Sequence, residues 1–334
     1  MKNTLKNFYN IDSKTFIKYS DKVIKVKDEN DNDYCLKYVD NQCNNLLIEK
    51  INMLNLSSNF VMPLKTCVRS NYASYNDKII YLSPWVDNDN IESKDLKLKY
   101  YLSSMSKLHE KTSYTLNVTS SFFNELSMKI EEQIGECYQY YDKLMSYALL
   151  KEYNSPFQWY LIFHFKDIIA SLDKSRYYLD EFKKNIKEKS TIRQVIIHQN
   201  FSYDHVFLSK DKVIGNDKMK LASPIYDLYD LFNKVEFGSI DISGLLDIYF
   251  KNISFEEYEK NWLLSLLFIS KMIKISNHDF NNLLSLMNVV FSYKCALEIE
   301  SKIKTIWSYS NSFLLFLFYM NRYLIEWNCN VVFL

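Results

Sequence analysis

The sequence predicts an α+β protein in two lobes: a small antiparallel β-rich part with one helix over residues 1–88, then a large, mainly helical part over residues 89–334. Three observations predict it. Short runs that alternate β-branched or aromatic residues with polar ones crowd the stretch before Asp87. Beyond Asp87 apolar residues recur at helical spacing over long segments broken by Ser, Asn and Pro. Strand signals return only briefly after Lys187, and 48% hydrophobic against 24% charged residues supply an ordinary globular core.

Taken in order, TFIKYSD, KVIKVK and YCLKYVD, separated by the polar turn DENDND, read as a three-stranded meander from Thr15 to Asp40. NNLLIEKINMLNL places Leu46, Leu47, Ile51 and Leu54 at helical spacing. VMPLKTCVR and KIIYLSPWV are two further strand candidates flanking SNYASYND, which gives the order β-β-β-α-β-β. Helices follow near Leu96 to Lys111, Phe122 to Glu152 and Phe157 to Lys187. RQVIIHQNF, DHVFLSKD and KVIGNDKMK read as short strands and tight loops, and helical spacing resumes from Ile225 to the end. No internal repeat or low-complexity linker occurs.

Lys+Arg 41 against Asp+Glu 40 leave a net charge of +1, so no global field attracts nucleic acid or an anionic membrane, and no nucleic-acid partner is expected. MKNTLKNFYN has no apolar signal region, which suggests a cytoplasmic start. Six cysteines without a C-x-x-C pair support neither a zinc site nor a redox motif. The run Phe313 to Met320 is far shorter than the ~18 residues of a membrane span, so no transmembrane segment is expected and the aromatic tail, 307–334, reads as a buried terminal helix of undefined role. The 27 Tyr and 22 Phe accompany frequent Asn, Lys and Ile, a codon bias of AT-rich bacterial genomes before it is a binding signal. His109 reads as a packed histidine at a helix end, His164 as a core residue of the WYLIFHF stripe, and His278 as a loop residue.

Several segments then fall into one known order. Lys37 sits on the third strand and Glu49 on the following helix, as the phosphate-binding lysine and its ion-pair partner do in kinases. IIYLSPWVD stands at the hinge and SSMSKLHEKT in the first large-lobe helix. IIHQNFSYDHVFL stands at the H-G-D-x-x-x-x-N catalytic loop, and VIGNDKMKLASPIYDLYDL at the I-D-F-D segment that ends in P-x-x-D-L. The chain thus resembles the aminoglycoside/choline phosphotransferase-like superfamily, with a protein-kinase-like two-lobed fold, and looks nearest to the bacterial spore-coat kinase branch. The resemblance covers about residues 15–235 and places the catalytic-loop-like segment at 196–230.

What the resemblance implies about chemistry is altered at each key position. The catalytic base is replaced by Asn200, whose amide cannot accept a proton. The two Mg²⁺ ligands are replaced by His205 and Gly215. Asp217 is a possible compensating acid, and Asp204 a second candidate. No glycine precedes Gly135, so the strand-turn-strand at TFIKYSDKVIKVK is no glycine-rich phosphate loop. What remains are structural roles: Lys37 with Glu49 in an ion pair, His198 tied to Asp227, and Trp85 over a vestigial nucleotide cleft. These changes imply a pseudokinase that binds a protein partner as a scaffold, spore-coat or cell-envelope associated, with its cleft filled or narrowed and no cofactor. One alternative is an active small-molecule or protein kinase using ATP and Mg²⁺ through a rearranged metal site. The other is a nucleotide or small-ligand sensor.

Overall fold

The computed structural model describes residues 1–39, 45–76, 78–87, 91–234 and 242–330, with side chains of the last helix described as far as residue 305. The aromatic tail's side chains, Leu46, Cys43 and Cys329 lie outside the described residues. The architecture is α+β: a five-stranded antiparallel sheet and a large helical part. The chain forms two compact units, one of residues 1–123, 187–240 and 247–255, the other of residues 124–186, 241–246 and 256–334.

In the first unit, strands β1 (Ser13–Lys18), β2 (Val23–Asp28), β3 (Asp33–Val39), β4 (Ala73–Tyr75) and β5 (Lys78–Pro84) order as β1-β2-β3-β5-β4. Alternation along β3 sends its side chains to opposite faces. Leu36 is fully buried with Val26, Ile80 and Leu82 on one face, where Leu5 and Tyr9 of helix α1 (Lys2–Tyr9) cover them. A buried side chain of this size contributes about 1.5–3 kcal/mol. Cys35 and Lys37 point to the other face, and the register sets Lys37 between Val23 of β2 and Tyr81 of β5. Helix α2 (Asn45–Met53) buries Ile48 against Val39 and Tyr81 on that second face.

The expected strand at VMPLKTCVR does not form. Pro63 lacks an N–H, Arg69 takes φ 62° in a tight turn, and the backbone N–H of Leu64 goes to Leu82 as a single bond. The strand lies instead at Ala73–Tyr75, inside the polar stretch read as a loop, because Ala73 and Tyr75 bring apolar surface to the core of Leu5 and Leu36. Helix α1 was not among the expected elements, since only Leu5 and Tyr9 mark its buried side.

Helix α3 (Lys94–Thr112) starts at Ser93, whose hydroxyl accepts the N–H of Leu96. It packs on a second sheet, ordered β10-β7-β6, of β6 (Tyr114–Asn117), β7 (Thr191–Ile197) and β10 (Lys220–Ala222). The ribbon β8 (Val206–Phe207) and β9 (Lys212–Val213), and helix α6 (Ile225–Lys234), complete the catalytic-loop-like segment.

The second unit is helical. α4 (Ser120–Leu149) reaches into it, and α5 (Pro156–Asn185) packs against α8 (Glu257–Leu267) and α9 (Asp279–Asn330). Ser155 and Gln158 form a capping box ahead of Pro156, which fixes where α5 starts. Tyr141, Phe157, Leu161, Ile168, Leu286 and Val290 make its core. The WYLIFHF stripe divides: Leu161 is buried, whereas Phe163 is 74% exposed and stacks on Trp159. His164 is not a core residue either; its Nδ1 lies 2.8 Å from Asp167 one turn on, at a half-exposed position. Among the described residues no helix is long and apolar enough to cross a membrane.

Candidate functional site

One buried carboxylate organises the loop after β7. Asp227, near the start of α6, accepts the backbone N–H of His198 at 2.8 Å and of Gln199 at 2.6 Å, and its Oδ2 lies 3.0 Å from His109 Nε2. Burial pushes its pKa up, but the hydrogen bond and charge of His109 and the backbone N–H of His198 outweigh this and hold it below the usual carboxylate range. These bonds stabilise Gln199 at φ 52°, the bend that begins the loop. His198 is tied to Asp227 through its main chain, and its ring serves elsewhere: Nε2 donates to the carbonyl of Ile214 at 3.2 Å, while Nδ1 accepts from Tyr101 Oη at 3.0 Å. Burial keeps this ring neutral and lowers its pKa to about 4. His109 is, as expected, a packed and hydrogen-bonded residue.

Asn200, at the base position, is turned inward. Its Nδ2 donates to the carbonyl of Gly215 at 2.8 Å, and its own carbonyl accepts His205 Nδ1 at 2.7 Å. Gly215 has φ 87°, and a Cβ there would lie 2.5 Å from Asn200 Nδ2 and 3.2 Å from His205 Nδ1. The three altered positions are therefore one interlocked cluster. Asn216 continues the lock, its Nδ2 donating to the carbonyl of Val61 at 2.8 Å. Burial lowers the pKa of His205, and the charge of Lys37 adds to that.

Beside the cluster lies a cavity of about 720 Å³, within the ordinary range of ligand pockets. Cys35, Lys37, Tyr81 and Ser83 of the sheet line it, together with Trp85, His205, Gly215 and Asp217. The expectation of a filled cleft is overturned: the bulky His205 folds back onto Asn200 and leaves the space open. Lys37 reaches Asp217 with Nζ–Oδ1 at 2.5 Å. Glu49 is not its partner, and lies 3.9 Å from Lys65 instead. Trp85 carries Lys25 Nζ 4.8 Å from its ring centre, with Tyr19 edge-on at 5.0 Å.

The turn between β1 and β2 borders the same cavity, and its amides are engaged. Tyr19 and Ser20 both donate their N–H to the carbonyl of Val23, at 2.9 and 3.1 Å, and Lys22 donates its N–H to Ser20 Oγ. These donors are not available to a phosphate. Among the cavity residues that went unmarked in the sequence are Tyr19 and Lys97 of α3, whose Nζ donates to the carbonyl of Tyr203 at 3.3 Å. Lys97 sits among Lys94 and Lys99 on a helix, where spacing alone singles out none of the three.

Mg²⁺ with its octahedron of oxygen donors does not fit this set. Gly215 has no side-chain donor and its carbonyl receives the Asn200 amide, His205 offers only imidazole, and one oxygen of Asp217 is held by Lys37. Among the described residues no group of three or more His, Cys, Asp or Glu gathers at metal-binding distance.

The architecture is that of the kinase-like phosphotransferases. Among solved structures the chain is similar to an aminoglycoside phosphotransferase from Alicyclobacillus acidocaldarius, with 11% identity, 88% of this chain and 93% of that one covered, and a TM-score of 0.65. It is also similar to spectinomycin phosphotransferase in its AMP-bound complex, with 15% identity, coverage of 87% and 96%, and a TM-score of 0.53. At these identities the likeness establishes the fold. No protein-family model matches the chain, and no curated protein matches it.

Proposed function

We propose that the protein is a phosphotransferase-fold pseudokinase that binds a nucleotide in its cleft and signals occupancy to a protein partner, without transferring phosphate by the family's usual route. The carrying observation is the pairing of an open cavity, lined by Lys37 and Trp85, with a base position whose side chain is locked away from it. A pure scaffold has no need of such a space. Trp85 offers an aromatic surface to a planar base, and Lys37 offers a charge to phosphate. Asn200 can neither accept the proton of an attacking hydroxyl nor reach one from its present hydrogen bond. The spore-coat or cell-envelope setting implied by the sequence resemblance belongs to this proposal as its cellular context.

A second reading has a specific observation in its favour: Asp204 is exposed and lines the cavity, so a carboxylate does face the space. Slow phosphoryl transfer would then run through Asp204. Thermal melting with AMP, ADP and ATP, alongside a phosphate-release assay, separates the two. Binding to the folded state must raise the melting point. The proposal expects a rise that Lys37→Ala removes, and ATP turnover equal to that of the same variant. Turnover well above that control, and lost in Asp204→Asn, supports the second reading.

A further inference from the structure

The cleft gathers no octahedral set of oxygen ligands for the divalent ions that normally neutralise nucleotide phosphates, yet it contains a cation that belongs to no motif. Lys97 lies one turn into α3, and its bond to the Tyr203 carbonyl holds the ammonium against the helical turn Tyr203–His205. It lines the same cavity as Lys37, His205 and Asp217. One of its three donors is used by Tyr203, and among the described residues no carboxylate pairs with it. Of the other charges there, Lys37 and Asp217 hold each other, and Asp204 is exposed to solvent.

Resting on the nucleotide-binding reading above, we propose that Lys97 is a built-in substitute for the metal: the cleft binds the phosphates of a nucleotide between Lys97 and Lys37 with no divalent ion. A lysine ammonium is a compact point charge with rotatable donors, suited to phosphate oxygens that no fixed fork constrains. Held at the edge of a cavity, it acts through a lower dielectric than in bulk water and needs no carboxylate ligands to stay. A divalent ion in this cavity would instead share it with Lys97 and Lys37, two like charges.

Isothermal titration of the full chain with ADP and ATP, in EDTA and in excess Mg²⁺ or Mn²⁺, tests this. The expected result is an affinity in EDTA equal to that with metal. Lys97→Ala and Lys97→Gln should each weaken binding in EDTA by about tenfold or more, the scale of a lost charge-assisted bond. Lys97→Arg should retain most of it. Affinity of the unmodified chain should fall with added KCl, with a shallower slope in Lys97→Gln. Binding that appears only with metal overturns the inference and leaves the nucleotide-binding reading standing, as does wild-type affinity in both folded Lys97 variants. Absence of binding under every condition overturns both.

Discussion

Gly215 carries a conformation that other residues adopt only under strain, and the Asn200 amide occupies the space a Cβ would take. Gly215→Ala should therefore lower stability by about 1–3 kcal/mol, read as a shift of the urea midpoint. The same geometry bears on rebuilding the family's acids. The resemblance implies that Asn200→Asp, His205→Asn and Gly215→Asp together rebuild the base and both metal ligands. Gly215 stands at φ 87°, a conformation that strains Asp whatever side chains surround it, so the triple variant should melt below the unmodified chain and gain no Mg²⁺-dependent nucleotide binding. His198 gives a pH dependence. Its pKa is about 4 when folded, against ~6.5 in an open chain, so between these values the unfolded state binds the extra proton. Its contribution is complete above pH ~6.5 and is lost as pH falls toward ~4, amounting to about 3 kcal/mol. Chemical denaturation from pH 7 to 4 should show this slope, and it should flatten in His198→Gln.

Among the elements, the face that a strand residue takes was legible, whereas the partner that a loop residue finds was not. Alternation along YCLKYVD is enough to place Cys35 and Lys37 on one face and Leu36 on the other. The partner of Lys37 was misread, because the kinase pattern supplies Glu49, whereas the loop beyond Gly215 brings Asp217 to it. Contacts between residues 180 positions apart leave no trace in local spacing. VMPLKTCVR carries β-branched residues yet forms no strand, since Pro63 and the turn at Arg69 override propensity. Lys37→Ala should cost about 1 kcal/mol of stability, as a partly exposed ion pair does, and should also abolish the nucleotide-induced melting shift. Ligand binding should quench the emission of Trp85, and Trp85→Phe should remove that change. Quenching of equal size in the variant would place the ligand elsewhere.

For the molecule as a whole, hydrophobic patterning foretold the α+β class and the long helices. It could not foretell that the compact units interleave along the chain, because burial partners are set by tertiary packing. The thiols report on that packing. Cys67 is exposed, while burial pushes Cys137 up to about 11 and Cys295 up to about 12. A disulfide-exchange reagent at pH 8 should modify Cys67 promptly and leave Cys137 and Cys295 silent until the chain unfolds, since the thiolate is the reacting form. Cys67→Ser should remove one equivalent from the fast phase. Prompt reaction of Cys137 or Cys295 would mean that its unit opens far more readily than its burial allows.

The lock among Asn200, His205 and Gly215 also has an evolutionary reading. Each residue suits its place because the other two are there: the carbonyl of Gly215 receives the Asn200 amide, the bare α-carbon makes room for it, and the His205 ring closes over the Asn200 carbonyl. Reversion of any one alone meets a steric or hydrogen-bonding penalty that its two companions impose. Any stepwise route from this arrangement to an acidic one therefore passes through less stable chains, and the three residues act as a ratchet, each holding the other two in place by packing alone.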